Sequence, residues 1–323
     1  MDVFRRLALG AALLLAPLGG AMAQSTANTF PSQLVRIVVP FSAGSVTDIL
    51  ARVLADKLAE AWHQQVIVEN RPGIAGTATA AKAAPDGHTL MLTSNGHTVL
   101  GVLNKGLAFD PVKDFVGVTQ VASIPVVLVT PPTLPATTVK EFIALAKEKP
   151  GTLNFASAGL ASTAYIAAEL FKQTAHIDIV HIPYKGAPDA MTSVMRGDSH
   201  LYFLAVNLAA QLAEKGQVHA LAVVRSERSA AMPNTPTIAE AGMPEYSYDA
   251  WFGVMAPAGT PAAILAKVSR DIATVLHAPE TRDRLSAQGV EVVVNTPAAF
   301  DDVIKRDTER YSQLLRDAGV GGN

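Results

Sequence analysis

The sequence predicts an α/β protein of two similar lobes, each a mostly parallel sheet with helices on both faces. Three observations carry that prediction. Short apolar runs rich in β-branched residues alternate with stretches whose apolar residues recur every three or four positions, the patterns of buried strands and amphipathic helices. The alternation restarts after about Val127, where a strand, a loop of small residues and a helix at 153–172 echo the same series at 36–58. Two proline-bearing stretches, TPPTLPATT from Thr130 and WFGVMAPAGTP from Trp251, stand where the chain can cross between lobes.

The elements follow in order. VRIVVPF at 35–41 is an apolar, β-branched run and so a buried strand. The next segment spaces Ile49, Leu50, Val53, Leu54, Leu58 and Trp62 as one helix face. QVIVEN is a second strand, RPGIAGTATAAKAA a glycine loop entering an alanine-rich helix, and Pro85-Asp86-Gly87 a turn before the strand HTLMLTS. After the first crossing, PVVLVTP, LNFASA, IDIVHIP, HLYFLAV and VHALAVV read as strands. Helices at 138–151, 162–175 and 188–198 lie between them. DAWFGVMAP is extended, PAAILAKVSRDIATVLH a helix, VEVVV a strand, and a long helix from Pro297 closes the chain.

Composition narrows the function. Arg5 and Arg6, the apolar LALGAALLLAPLGG and the A-x-A of AMA make a secretory signal peptide, with cleavage after Ala23. Its apolar core is shorter than the roughly 20 residues a spanning helix needs. The expected mature chain is exported and soluble, in the periplasm. Cysteine is absent, which excludes disulfides, thiolate metal sites and cysteine nucleophiles. A net charge of −2 argues against nucleic acid or an anionic membrane as partner.

Chemistry concentrates in two loops. In open α/β sheets ligands sit beyond the carboxyl ends of strands, where helix N-termini offer unpaired N–H groups to an anion. PFSAGSVTD fits such a site: its small residues let backbone approach closely, and Ser42, Ser45 and Thr47 add hydroxyls. Ser45-x-x-Asp48 also has the form of a capping box, and both readings can hold at once. ASAGLAST at 156–163 repeats the device, so two loops on two lobes could close on one anion. Hydrolysis finds little support, since G-x-S-x-G is absent and neither Ser157 nor Ser162 sits in a nucleophile elbow. No H-E-x-x-H occurs, and His176 and His181 are not spaced as metal ligands. His97, just past a strand end, could line a cleft or be an ordinary loop residue. Asp86 and Asp110 read as turn residues, Trp251 as packing, and Arg52 and Arg71 as ion-pair partners.

Several blocks carry a family likeness: RIVVPFSAGSVTDILAR, VIVENRPGIAGTATAAKAAPDGHTLML, LNFASAGLASTAYIAAELF, IPYKGAPDA and WFGVMAPAGTP. In this order they resemble the Bug receptors, the periplasmic substrate-binding proteins of tripartite tricarboxylate transporters. The likeness covers essentially the whole mature chain. It implies a two-lobed periplasmic-binding-protein (Venus-flytrap) fold with mixed, mostly parallel sheets. Lobe 1 is expected over 24–128 and 250–297, and lobe 2 over 129–249 with the C-terminal helix 298–323.

The resemblance also implies a small organic carboxylate held in the cleft. The first loop would contribute Phe41, Ser42, Ala43, Gly44, Ser45, Thr47 and Asp48. The second would contribute Ser157, Gly159, Leu160, Ala161, Ser162 and Tyr165, with Ser94, His97 and Tyr184 beside them. Expected partners are the membrane subunits of such a transporter, or a sensor. No cofactor, no metal, no catalysis and a monomer are expected.

The departures from the family pattern bear on the ligand. Ala43-Gly44-Ser45 replaces the usual Pro-Gly-Gly, placing Ser where a positive φ would be costly. Gly159-Leu160-Ala161-Ser162 leading to Tyr165 replaces Gly-x-Gly-Ser and a histidine, and Ser193 and His200 stand at usually acidic positions. Leu160, Ala161 and Tyr165 make the second wall more apolar, which favours a carboxylate with an apolar or aromatic body over citrate.

Overall fold

The computed structural model describes residues 30–160, 162–317 and 319–320; the signal peptide expected from the sequence falls outside them. In the first lobe β1 (Val35–Val39) pairs in parallel with β2 (Val66–Asn70) and β3 (Thr89–Ser94). β10 (Ala250–Pro257) lies between β3 and β4 (Phe115–Ile124), antiparallel to both, and the short β11 (Glu291–Val292) ends the sheet on β4. One face, with Ile37, Leu90 and Leu92, packs on α1 (Val46–Trp62) and α8 (Ala262–His277). The other, with Val38 and Met91, packs on α2 (Ile74–Ala81) and the start of α10 (Pro297–Asp317).

The second lobe holds β5 (Val126–Thr130) between β8 (Tyr202–Ala205) and β9 (His219–Val223), and a parallel pair of β6 (Asn154–Ser157) and β7 (Val180–Pro183). A bridge from Phe155 to Leu201 joins β6 to the start of β8. The helices are α4 (Val139–Glu148), α5 (Thr163–Ala175), α6 (Ala187–Arg196) and α7 (Val206–Glu214). A 3-10 turn at Asn95–Val99, α3 (Leu100–Leu103) and α9 (Pro279–Ser286) complete the elements. Among the described residues no helix is long and apolar enough to cross a membrane.

The chain crosses at Pro125, between β4 and β5, and returns at Asp249, before β10. This explains why the sheets are mixed. A strand that enters a lobe from the crossing must run away from it, whereas strands feeding the cleft loops run toward it. β5 and β10 are those entering strands, and every ladder on either of them is antiparallel. Most other strands share one direction, as the sequence suggests, yet among the described residues the parallel ladders are β2–β1–β3 and β6–β7, with single parallel bridges at Phe155–Leu201 and Val223–Thr237.

The sequence reading names no strand between Ser94 and Pro125, whereas β4 is the longest in the molecule. The closing helix, expected with lobe 2, buries Phe300 and Ile304 beside Trp251 and Met255 of lobe 1, and Tyr311 and Leu315 in lobe 2.

Candidate ligand-binding site

The loop from β1 to α1 is tied at both ends. Ser45 is the N-cap residue, and its Oγ accepts the Asp48 N–H at 3.2 Å. The Asp48 carboxylate reaches back one residue beyond a true capping box, to the Gly44 N–H at 2.8 Å. Arg52 donates to Asp48 at 3.1 Å and to Asn70 Oδ1 at 3.1 Å, and the Asn70 amide donates to the Phe41 carbonyl at 3.2 Å. Burial would raise the Asp48 pKa, but the hydrogen bonds from Arg52 and Gly44 and the Arg52 charge outweigh it and hold the carboxyl below its ordinary value. The positive φ falls on Gly44, at +80°, while Ser45 is extended at φ −70°. Replacing the family's second glycine by serine therefore strains nothing and supplies the cap.

With the loop so held, the N–H groups of Val46 and Thr47 keep no partner among the described residues. These are the first-turn donors at the positive end of the helix dipole. Asp48, itself buried and paired, shapes the loop and is neutralised by Arg52.

The loop from β6 to α5 repeats this plan. Ser162 is the N-cap, accepting the Tyr165 N–H at 3.3 Å and donating Oγ–H to the Gly159 carbonyl at 2.7 Å. Gly159 takes the left-handed region at φ +103°. The wholly buried Ser157 accepts the Gly159 N–H at 3.1 Å and shares a 2.7 Å hydrogen bond with His181 Nε2. The N–H groups of Thr163 and Ala164 have no partner among the described residues. Leu160 is 44% exposed at the loop's tip, and Ala161 lies outside the described residues. The Tyr165 ring turns inward, packed on His181 and Phe155 and buried in lobe 2. It does not form the open apolar wall expected of it.

Tyr184 extends the β6–β7 ladder through its N–H to Ser157 O at 2.9 Å. Its hydroxyl turns to Ser199 Oγ at 3.1 Å, which Ser193 also meets at 3.0 Å. The serine at a usually acidic position thus joins a chain of hydroxyls inside the lobe. His200 accepts the Asn154 N–H at 3.2 Å, clasping β6 to the start of β8.

The third strand end, at β3, contributes buried polar groups. Alternation puts Ser94 on the face of Leu90 and Leu92, toward α1, and its Oγ has no hydrogen-bond partner among the described residues. His97 is buried, with Nε2 donating to the Pro111 carbonyl at 2.7 Å and its ring edge-on to Phe115. Burial pulls its pKa down to about 4 against the opposing effect of that carbonyl. His97 packs beneath the turn and does not face an open cleft.

Asn95, which the sequence reading passed over, is wholly buried. Its amide donates to the Tyr248 hydroxyl at 2.8 Å and the Asp249 carbonyl at 3.1 Å, and Tyr248 donates to the Thr163 carbonyl at 2.7 Å. This chain fastens the end of β3 in one lobe to the first residue of α5 in the other.

His181 and Tyr248 were also missed. Neither carries a local signal; each gains its role from a partner on another element. Burial, with a smaller effect of the Lys172 charge, pulls the His181 pKa down to about 4. A buried serine beside such a histidine, with no acid on Nδ1 among the described residues, lacks the activated geometry of a nucleophile. Among the described residues no group of His, Asp or Glu could hold a metal ion. A surface hollow of about 640 Å³ lies against α9 and β11, and another of about 500 Å³ lies beside α6, lined in part by Tyr184 and Ser193.

Comparison with known proteins identifies the family and the fold. The family model described as "Tripartite tricarboxylate transporter family receptor" matches residues 50–320. BugT of Bordetella pertussis is 34% identical over 306 residues, 93% of this chain and 94% of BugT. The solved structure of R. palustris Rpa4515 with adipate has a TM-score of 0.81 at 31% identity, covering 90% of this chain and 98% of that one. MatC of Rhodopseudomonas palustris with bound malate has a TM-score of 0.79 at 31% identity, covering 88% and 100%. These matches run through both lobes and both crossings, and the chain belongs to the tripartite tricarboxylate transporter receptor family.

Proposed function

We propose that this protein captures a small organic carboxylate between the N-terminal ends of α1 and α5 and delivers it to the membrane subunits of a tripartite tricarboxylate-type transporter. The observation that carries the reading is the matched pair of serine-capped helix ends, one on each lobe, each with first-turn N–H groups unpaired. A carboxylate between them receives charge-assisted hydrogen bonds from donors already aimed. Relatives solved with adipate and malate support the ligand class. The basic, apolar and A-x-A leader supports a periplasmic location. Binding shifts an open–closed balance by the ligand's preference for the closed form, with no turnover.

Leu160, exposed at the tip of the second loop, supports a ligand whose body is apolar. The test is thermal unfolding of refolded, ligand-free protein against adipate, malate, citrate, and aromatic and short-chain monocarboxylates. Ligand at about 100 times its dissociation constant adds roughly 2.7 kcal/mol of stability, a clear shift in midpoint. Adipate or a monocarboxylate is expected to shift the midpoint more than citrate does. The reverse order would overturn the apolar-body reading, and no shift from any acid would overturn carboxylate capture.

A further inference from the structure

We infer that His181 is the positioning residue of the second-lobe loop: through Ser157 it sets the Gly159 turn that aims the N-terminal end of α5. The inference rests on the carboxylate-capture reading for its consequence, though not for its geometry.

His181 lies on β7 directly opposite Phe155 on β6, so both rings stand on one face of the sheet. The imidazole stacks on Phe155 at 4.9 Å and 26°, and Tyr165 of α5 meets it at 4.7 Å. Two aromatic contacts fix the ring plane and leave Nε2 on Ser157 Oγ at 2.7 Å. Nδ1 makes no hydrogen bond to the described residues.

From Ser157 the linkage continues without a gap. Ser157 Oγ takes the Gly159 N–H at 3.1 Å, and the Gly159 carbonyl takes the Ser162 hydroxyl at 2.7 Å and the Ser162 N–H at 3.1 Å. Ser162 then caps α5. One imidazole nitrogen therefore stands at the head of a chain that ends on the helix first turn.

An apolar residue would serve the stack equally well. It would leave the wholly buried Ser157 hydroxyl with partners only inside the loop it has to hold. The histidine supplies an anchor on a different strand.

The test pairs His181→Phe, which keeps a ring in the stack and deletes Nε2, with Ser157→Ala and the double variant. Hydrogen exchange of residues 157–165 in ligand-free protein reads loop order without any ligand. Adipate and malate binding by calorimetry reads the consequence. In His181→Phe the loop amides are expected to exchange about tenfold faster, the scale of one lost hydrogen bond, while β5, β8 and β9 keep their protection. The dissociation constant of whichever acid the parent binds should rise by about the same factor. Ser157→Ala should match it, the double variant should be no worse than either single, and His181→Gln should recover part of the protection.

Unchanged loop exchange in His181→Phe, additive effects in the double variant, or loss of protection throughout the lobe in both single variants would overturn the assignment. If His181→Phe alone fails to fold, Ser157→Ala decides the question. Absence of binding by the parent protein would overturn the carboxylate reading alone, because the exchange result stands without a ligand.

Discussion

Charge in the first loop is managed by one acid and one base. Asp48 would repel an incoming carboxylate if it stood alone, yet Arg52 pairs with it and both serve the loop. Asp48→Asn should loosen the Gly44 turn, leave Arg52 without its charge partner, and destabilise the fold by about 1–3 kcal/mol in urea unfolding. A second residue-scale expectation concerns pH. His97 is neutral in the fold, with its pKa pulled down to about 4, so the unfolded chain takes up a proton first as pH falls. Stability is therefore lost between about pH 6.5 and 4, by roughly 3 kcal/mol for this buried group, and is regained as pH rises. His181 adds to the loss in the same window, whereas Asp48, with its pKa lowered, withdraws its contribution only below the ordinary carboxylate range. Replacing His97 by Gln should flatten the dependence of the melting midpoint on pH over that window.

At the scale of elements, β4 is the instructive strand. Its sequence FVGVTQVASI carries buried Thr119 and Gln120, which break the apolar run that marks other strands. Both residues are satisfied from afar: Thr119 Oγ1 donates to the Asn295 carbonyl at 2.8 Å and Asn295 Oδ1 accepts the Gln120 N–H at 2.8 Å, while Asp301 accepts the nearby Gly117 N–H at 2.7 Å. Side chains just before and within α10 thus finish an edge that β11 covers only at Ala122 and Ser123. Asn295→Ala should destabilise the first lobe by about 1–3 kcal/mol, measured by chemical denaturation, because a buried N–H loses its acceptor. The same contrast separates what the sequence made legible. The two capped loops could be read because Ser, Gly and the helix start lie within a few residues of each other, and their chemistry is local. Asn295 on Gln120, His181 on Ser157 and Asn95 on Tyr248 could not, because tertiary packing alone brings them together.

For the whole molecule, the question is what holds the lobes in register while a cleft works between them. Several contacts among the described residues span the crossing. α10 packs on both cores, and Trp251 donates to its buried Asp307 at 2.7 Å. Arg225 beyond β9 pairs with Glu291 of β11. Asn95 meets Tyr248, whose ring packs beside Tyr311. The last is the one that reaches the proposed site, since Tyr248 also holds the Thr163 carbonyl at the start of α5. Tyr248→Phe keeps the ring and removes both bonds. If the Asn95–Tyr248 contact belongs to the state that binds, its loss lowers that state's population, and apparent affinity falls in proportion. About 1.4 kcal/mol of lost stabilisation would weaken adipate or malate binding about tenfold. The ligand-free protein would also show a larger radius of gyration by small-angle scattering. Weakened binding together with a lowered melting midpoint of the ligand-free protein is the expected result, because two buried hydrogen bonds of that fold are lost. Unchanged affinity would place the contact in the hinge itself, present with the cleft open or closed, and leave the capped loops as the only parts that distinguish the two states.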